Sequence, residues 1–198
     1  MKILAFVDIH GDMKALKKIE EKSKEADMLV CAGDMSLFEQ GLNVLLDRLN
    51  RIGKTVLMIH GNHENAENLK KECERFDNII FIHKKNYKKA NIMFVGYGGG
   101  GFSLTDEAFE RFGNSVIKSI KKDKNNLKMV LVTHAPPYGT KLDFLNEYAG
   151  NKSIRKFVEI AKPSFVVCGH FHENRGEFDY IGETEVINPG PYGRIIEV

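Results

Sequence analysis

Short apolar runs alternate with longer charged segments along most of the chain. The runs at 3–7, 28–32, 55–59, 79–82, 92–96, 129–133 and 165–168 are rich in Val, Ile and Leu, and we read them as buried strands. Between them, residues 12–26, 39–50, 64–74, 106–121 and 153–160 carry apolar side chains at helical spacing with charged residues opposite. Asp12 is placed to cap the first of these helices, whose apolar face begins Met13, Leu16, Ile19. Such alternation is the pattern of crossover units and a largely parallel sheet, so the fold class is α/β. After Cys168, short runs at 176–181, 183–188 and 194–198 are separated by Gly and Pro, which predicts antiparallel hairpins closing a second sheet. No shift in composition marks a boundary, and residues 1–198 read as one domain. Lys85, Lys88 and Lys89 read as a solvated turn, and the glycine run at 98–101 as a flexible loop that lacks the Gly-Lys-Ser/Thr of a nucleotide-cradling loop.

Composition removes several function classes. Lys and Arg number 29 against 27 Asp and Glu, a net charge of +2, which gives no electrostatic case for wrapping duplex nucleic acid or coating an anionic membrane. The apolar run at 3–7 is shorter than the roughly 7 to 15 residues of a signal peptide core, and no stretch approaches the roughly 18 residues of a spanning helix. Cys31, Cys73 and Cys168 are too scattered for a disulfide framework. A soluble, cytoplasmic protein without a membrane partner is expected, and a homo-oligomer is compatible with this composition.

The chemistry lies in the residues immediately after each buried run. Residues 3–7 lead into Asp8 and His10, residues 28–32 into Asp34, and residues 55–59 into Asn62, His63 and Glu64. Residues 129–133 end at His134, and residues 165–168 lead into His170 and His172. Five strands thus deliver polar side chains from their C-terminal ends, the edge where α/β sheets bind ligands. Mixed oxygen and imidazole donors without thiolate suit divalent first-row metals and argue against a cysteine-built structural zinc site. Residues two apart on an extended segment face the same way, which lets Asp8 with His10, and His170 with His172, address one pocket. The set exceeds the needs of one ion; two ions sharing a bridging carboxylate would use all of it.

Taken in order, Asp8-Ile9-His10, Gly33-Asp34, Gly61-Asn62-His63-Glu64, His134 and Gly169-His170-Phe171-His172 resemble the calcineurin-like metallophosphoesterases, in particular the small prokaryotic phosphodiesterases, over residues 8–172. The resemblance implies a four-layer α/β/β/α sandwich, two mixed sheets flanked by helices. It implies one ion held by Asp8, His10, Asp34 and His172, a second held by Asp34, Asn62, His134 and His170, and Asp34 bridging. Mn2+ is the expected ion, with Fe, Zn, Co, Ni and Mg able to use the same ligands. The implied reaction is hydrolysis of a phosphate ester by in-line attack of a metal-bridging hydroxide, with His63 as general acid to the leaving oxygen.

A phosphodiesterase is favoured over a phosphomonoesterase, since 198 residues leave little chain to enclose the site. A nuclease shares the chemistry, but the near-neutral charge disfavours nucleic acid as a partner. A non-catalytic interaction scaffold of the same fold is the alternative of another class, and the complete ligand set argues against it. Glu64 stands where many family members carry Asp and is expected to orient His63 or cap the following helix. Arg175 and Tyr138 are candidate substrate contacts, Asn188-Pro189-Gly190 is a turn near the site, His60 belongs to the core or lies behind the ligands, and His83 is expected at the surface.

Overall fold

The computed structural model describes residues 1–122 and 127–198. In chain order these form β1 (Lys2–Phe6), α1 (Met13–Lys22), β2 (Met28–Cys31), α2 (Leu42–Arg51), β3 (Val56–Met58), α3 (Ala66–Cys73), β4 (Ile79–Phe81), β5 (Lys85–Lys89), β6 (Ile92–Tyr97), α4 (Glu107–Lys122), β7 (Lys128–Thr133), α5 (Lys152–Ala161), β8 (Phe165–Val167), β9 (Phe178–Ile181), β10 (Thr184–Ile187) and β11 (Arg194–Glu197). One sheet has the order β11-β1-β2-β3-β4 and the other β5-β6-β7-β8-β10-β9.

Strand alternation assigns the side chains to three separate cores, and those cores define four layers. In β1, Leu4 and Phe6 pack with Leu16 and Ile19 of α1 and Leu46 of α2, while Ile3 and Ala5 face the other sheet. In β6, Ile92 and Phe94 join that middle core, whereas Met93 and Val95 pack beneath Phe109 of α4 and Phe157 of α5. Both faces of each sheet are therefore covered, which is why these strands are apolar throughout rather than alternating. The helices start where polar side chains satisfy their free N–H groups: Asp12 accepts from Lys14 at 2.8 Å, Asn65 from Glu67 at 3.0 Å, and Asn151 from Ile154 at 3.0 Å.

Two sequence expectations need correction. The C-terminal strands do not all close the second sheet as hairpins: β9 and β10 form its antiparallel edge pair, β10 runs parallel to β8, and β11 joins the first sheet antiparallel to β1. The lysine cluster is not a turn. Lys85, Lys88 and Lys89 lie on β5, an exposed edge strand antiparallel to β6, where lysines deter further strand pairing. No helix among the described residues is long and apolar enough to cross a membrane.

Candidate metal centre

The segments that leave β1, β2, β3, β7 and β8 meet at one edge of the sandwich. Asp8, His10, Asp34 and His170 all adopt left-handed backbone conformations, with φ of 56°, 48°, 51° and 73°. Each such residue is disfavoured by about 1–2 kcal/mol for a side chain bearing a Cβ, so the surroundings must impose the geometry. They do so through cross-links between loops. Asp8 N–H donates to Gly33 O at 3.2 Å, His10 N–H to Asp34 O at 3.0 Å, and His170 N–H to the Asp8 carboxylate at 3.2 Å. Glycine is needed where the chains come closest: a Cβ on Gly61 would lie 2.0 Å from Asp34 Oδ1, and one on Gly169 2.2 Å from a Val7 methyl.

The result is a compact cluster of donors. Asp34 Oδ2 stands 3.3 Å from His134 Nε2, 3.8 Å from His10 Nε2 and 3.9 Å from His63 Nε2. His10 and His172 bring their Nε2 atoms within 2.9 Å of each other, and His172 Nε2 lies 4.0 Å from Asp8 Oδ2. Asn62 Oδ1 lies 3.0 Å from His134 Nε2 and 2.9 Å from His170 Nδ1. Donor atoms fall within 4.8 Å of one another in three overlapping groups, Asp8 with His10 and His172, His10 with Asp34 and His63, and Asp8 with Asp34 and His134.

The electrostatics point to a cation. Burial pushes the Asp8 carboxyl up to about 6 against the pull of His134, and the charge of Asp34 adds to the rise. Burial would also raise Asp34, but the hydrogen bond and charge of His134 outweigh it and hold that carboxyl at about 2. Burial pushes His10 and His170 down to about 4, so both are neutral near pH 7 and keep a lone pair for a ligand. Asp8 Oδ1, His10 Nδ1, His63 Nδ1 and His170 Nε2 are buried without a hydrogen-bond partner. Two carboxylates beside neutral imidazoles, with polar atoms left unpaired away from water, fit a divalent metal site.

The comparisons with known proteins agree with this geometry. The sequence pattern of the calcineurin-like phosphoesterases matches residues 1–174. The chain belongs to that family. It is 36% identical to an uncharacterized protein of Methanocaldococcus jannaschii over 96% of this chain and 88% of that one. Its fold is similar to a solved structure from Thermus thermophilus (TM-score 0.79, 15% identity, 96% of this chain and 89% of that one). It also resembles a dimetal phosphatase of Danio rerio (TM-score 0.70, 11% identity, 94% and 86%). The four-layer α/β fold expected from the sequence is the fold of this phosphoesterase family member.

The remaining sequence candidates separate. Glu64 does not cap α3, which Asn65 caps; its carboxylate turns back to Asp34, Ser36 and Gly61. Arg175 is exposed and lines a cleft of about 510 Å³ with Asp8, His10, Gly190 and Tyr192. The Tyr138 ring centroid lies 5.8 Å from that of Tyr148, with Lys152 Nζ 4.8 Å over its face. His60 is buried, 4.5 Å ring to ring from His83, which is half-buried rather than at the surface, with Gly98 N–H donating to its Nδ1 at 2.8 Å. Sequence reasoning missed Phe38, Phe102 and Ser36 near the cluster; for the two phenylalanines the only signal is an apolar residue in a polar or glycine-rich loop.

Proposed function

We propose that this family member is a metal-dependent phosphodiesterase acting on small phosphate diesters in the cytoplasm, a compartment that suits its three free, buried cysteines. The observation that carries the reading is the cluster of Asp8, His10, Asp34, Asn62, His134, His170 and His172, with buried donor atoms unpaired. In this reading Asp8, His10, Asp34 and His172 hold one divalent ion, Asp34, Asn62, His134 and His170 hold the other, and Mn2+ is the ion used. Such ions supply Lewis acidity to phosphate oxygens and lower the pKa of water.

The chain's own residues do the remaining work. His134 is oriented by a 2.9 Å contact from Nδ1 to Ala32 O, which leaves Nε2 toward Asp34 and Asn62. His63 is fixed by its N–H donating to Asp34 Oδ1 at 2.9 Å, and its imidazole is assigned to deliver a proton to the departing ester oxygen. Arg175 is assigned to a non-bridging phosphate oxygen from the side of the cleft. The preference for diesters is supported by the openness of this edge: His172 and Arg175 are exposed, and the cleft beside Asp8 leaves room for a second substituent on phosphorus.

The test is hydrolysis of bis(p-nitrophenyl) phosphate and p-nitrophenyl phosphate by chelator-stripped protein, with Mn2+, Zn2+, Ni2+ and Mg2+ added back singly. We expect Mn2+ to restore cleavage, with the diester preferred. Preference for the monoester would reassign the protein as a phosphomonoesterase, and tight metal binding without cleavage of either would turn it into a scaffold.

A further inference from the structure

Two phenyl rings stand at the rim of the donor cluster, each resting on one of its histidines. Phe38 packs against His63 with ring centroids 4.5 Å apart, and Phe102 packs against His170 at 5.1 Å and Phe171 at 5.6 Å. At 69% and 73% exposed they are the most exposed large apolar side chains among the described residues. The angles between ring planes, 53° and 66°, show that neither phenyl is stacked parallel to its histidine.

Local backbone features hold both rings in place. Phe38 and Glu39 are consecutive left-handed residues, φ 49° and 64°, a state that side chains with a Cβ keep only where other contacts impose it. The imposing contacts come from Glu39, whose carboxylate accepts the N–H of Asn65 at 2.8 Å and the side-chain amide of Asn68 at 3.1 Å, tying the turn to the start of α3 beside His63. Phe102 comes directly after the glycine run. A Cβ on Gly98 would lie 2.5 Å from both Nδ1 and the carbonyl oxygen of His60, and one on Gly100 3.2 Å from the Ala135 methyl. Only glycine lets the chain lie flat across those residues and deliver Phe102 to His170.

The rings also belong to different halves of the cluster. His63 neighbours His10 at 4.8 Å between centroids, and His10 neighbours His172 at the same distance, whereas His170 neighbours His134 at 5.3 Å. Phe38 therefore borders the side of His63, His10 and His172, and Phe102 the side of His170 and His134.

We propose that Phe38 and Phe102 are stacking platforms for planar groups on the two ester oxygens, which makes the substrate a phosphodiester with nucleoside-type substituents. The proposal rests on the phosphodiesterase reading above. Because Phe38 adjoins His63, the residue assigned to protonate the leaving oxygen, Phe38 serves the leaving group and Phe102 the retained substituent. Aromatic faces accept any planar base, so the pair selects for planarity without selecting a sequence.

The experiment compares two diesters with one leaving group, thymidine 5′-(p-nitrophenyl phosphate) and methyl p-nitrophenyl phosphate, on Mn2+-loaded full-length protein. Loss of one stack is expected to lower kcat/KM by about 5- to 100-fold. Phe38→Ala lowers both substrates by similar factors, and Phe102→Ala lowers the thymidine ester at least fivefold more than the methyl ester, mainly through KM. Phe102→Tyr restores the difference, and metal content and circular dichroism verify folding. Equal effects of Phe102→Ala on the two esters, or none, overturn the platform assignment while leaving a phosphodiesterase. Wild-type protein that cleaves p-nitrophenyl phosphate but neither diester overturns both readings.

Discussion

The carboxylate of Glu64 accepts the backbone N–H of Asp34 at 3.0 Å, tying the β3 loop to the β2 loop that carries the centre of the donor cluster. Gly61 N–H donates to the same Oε2 at 3.1 Å, and Ser36 donates its N–H and hydroxyl to Oε1 at 2.8 and 2.9 Å. Four donors converge on one buried anion, which offsets the burial that pushes its pKa above the ordinary range. Glu64→Gln replaces one acceptor with an amide that faces donors, and should cost about 1–3 kcal/mol of stability. Denaturant unfolding of the metal-free protein measures this, and a shift below about 0.5 kcal/mol would count against Glu64 as the clamp of these loops.

On the two-ion reading proposed above, Asp34→Asn should lower bound metal and remove most activity, since Oδ2 of Asp34 lies 3.3–3.9 Å from His134, His10 and His63. Elemental analysis after gel filtration reads it out. Two retained ions with full turnover would sink the bridging role.

His63→Ala should leave metal content unchanged and lower turnover by roughly 10² to 10⁴ fold on esters with poor leaving groups. The loss should shrink for p-nitrophenolate, which departs without a proton. An equal loss on both kinds of ester would remove His63 from proton delivery and leave it a packing role beside Phe38.

The candidate cluster was legible because buried parallel strands end abruptly in polar residues, so Asp8, Asp34 and His134 interrupt apolar runs that are otherwise continuous. The cap Asp12 was legible for an equally local reason. What escaped depends on partners distant in sequence or on faces without an apolar signal. The lysine-rich β5 has the polarity of a turn because an edge strand keeps charge on its exposed side. The switch of β11 to the first sheet is decided by pairing with β1, about 190 residues earlier, and no local pattern encodes it. Glu64 binds residues 28 and 30 positions away, and Phe38 and Phe102 matter only through the histidines they touch.

The metal-free protein should lose stability as pH falls from about 6.5 to 4. Burial pushes His10, His60, His83 and His170 down to about 4, so across that window the unfolded chain binds a proton at each site that the folded chain does not. With more protons on the unfolded side, stability rises with pH and is lost on acidification. Asp8, with a folded value of about 6 against the ordinary 3.8, opposes them, and so does Glu64, which burial also raises; the contributions of both are lost as pH rises, and two carboxyls do not outweigh four imidazoles. His134, raised through Asp34, contributes stability that fades only as pH climbs above the ordinary histidine range. His83→Asn isolates one member of the group, since the Asn side-chain oxygen can accept the Gly98 N–H in place of Nδ1 and does not titrate. Thermal unfolding of chelator-stripped protein across the window should show a smaller drop in Tm for this variant, and an undiminished drop would show that His83 takes no part.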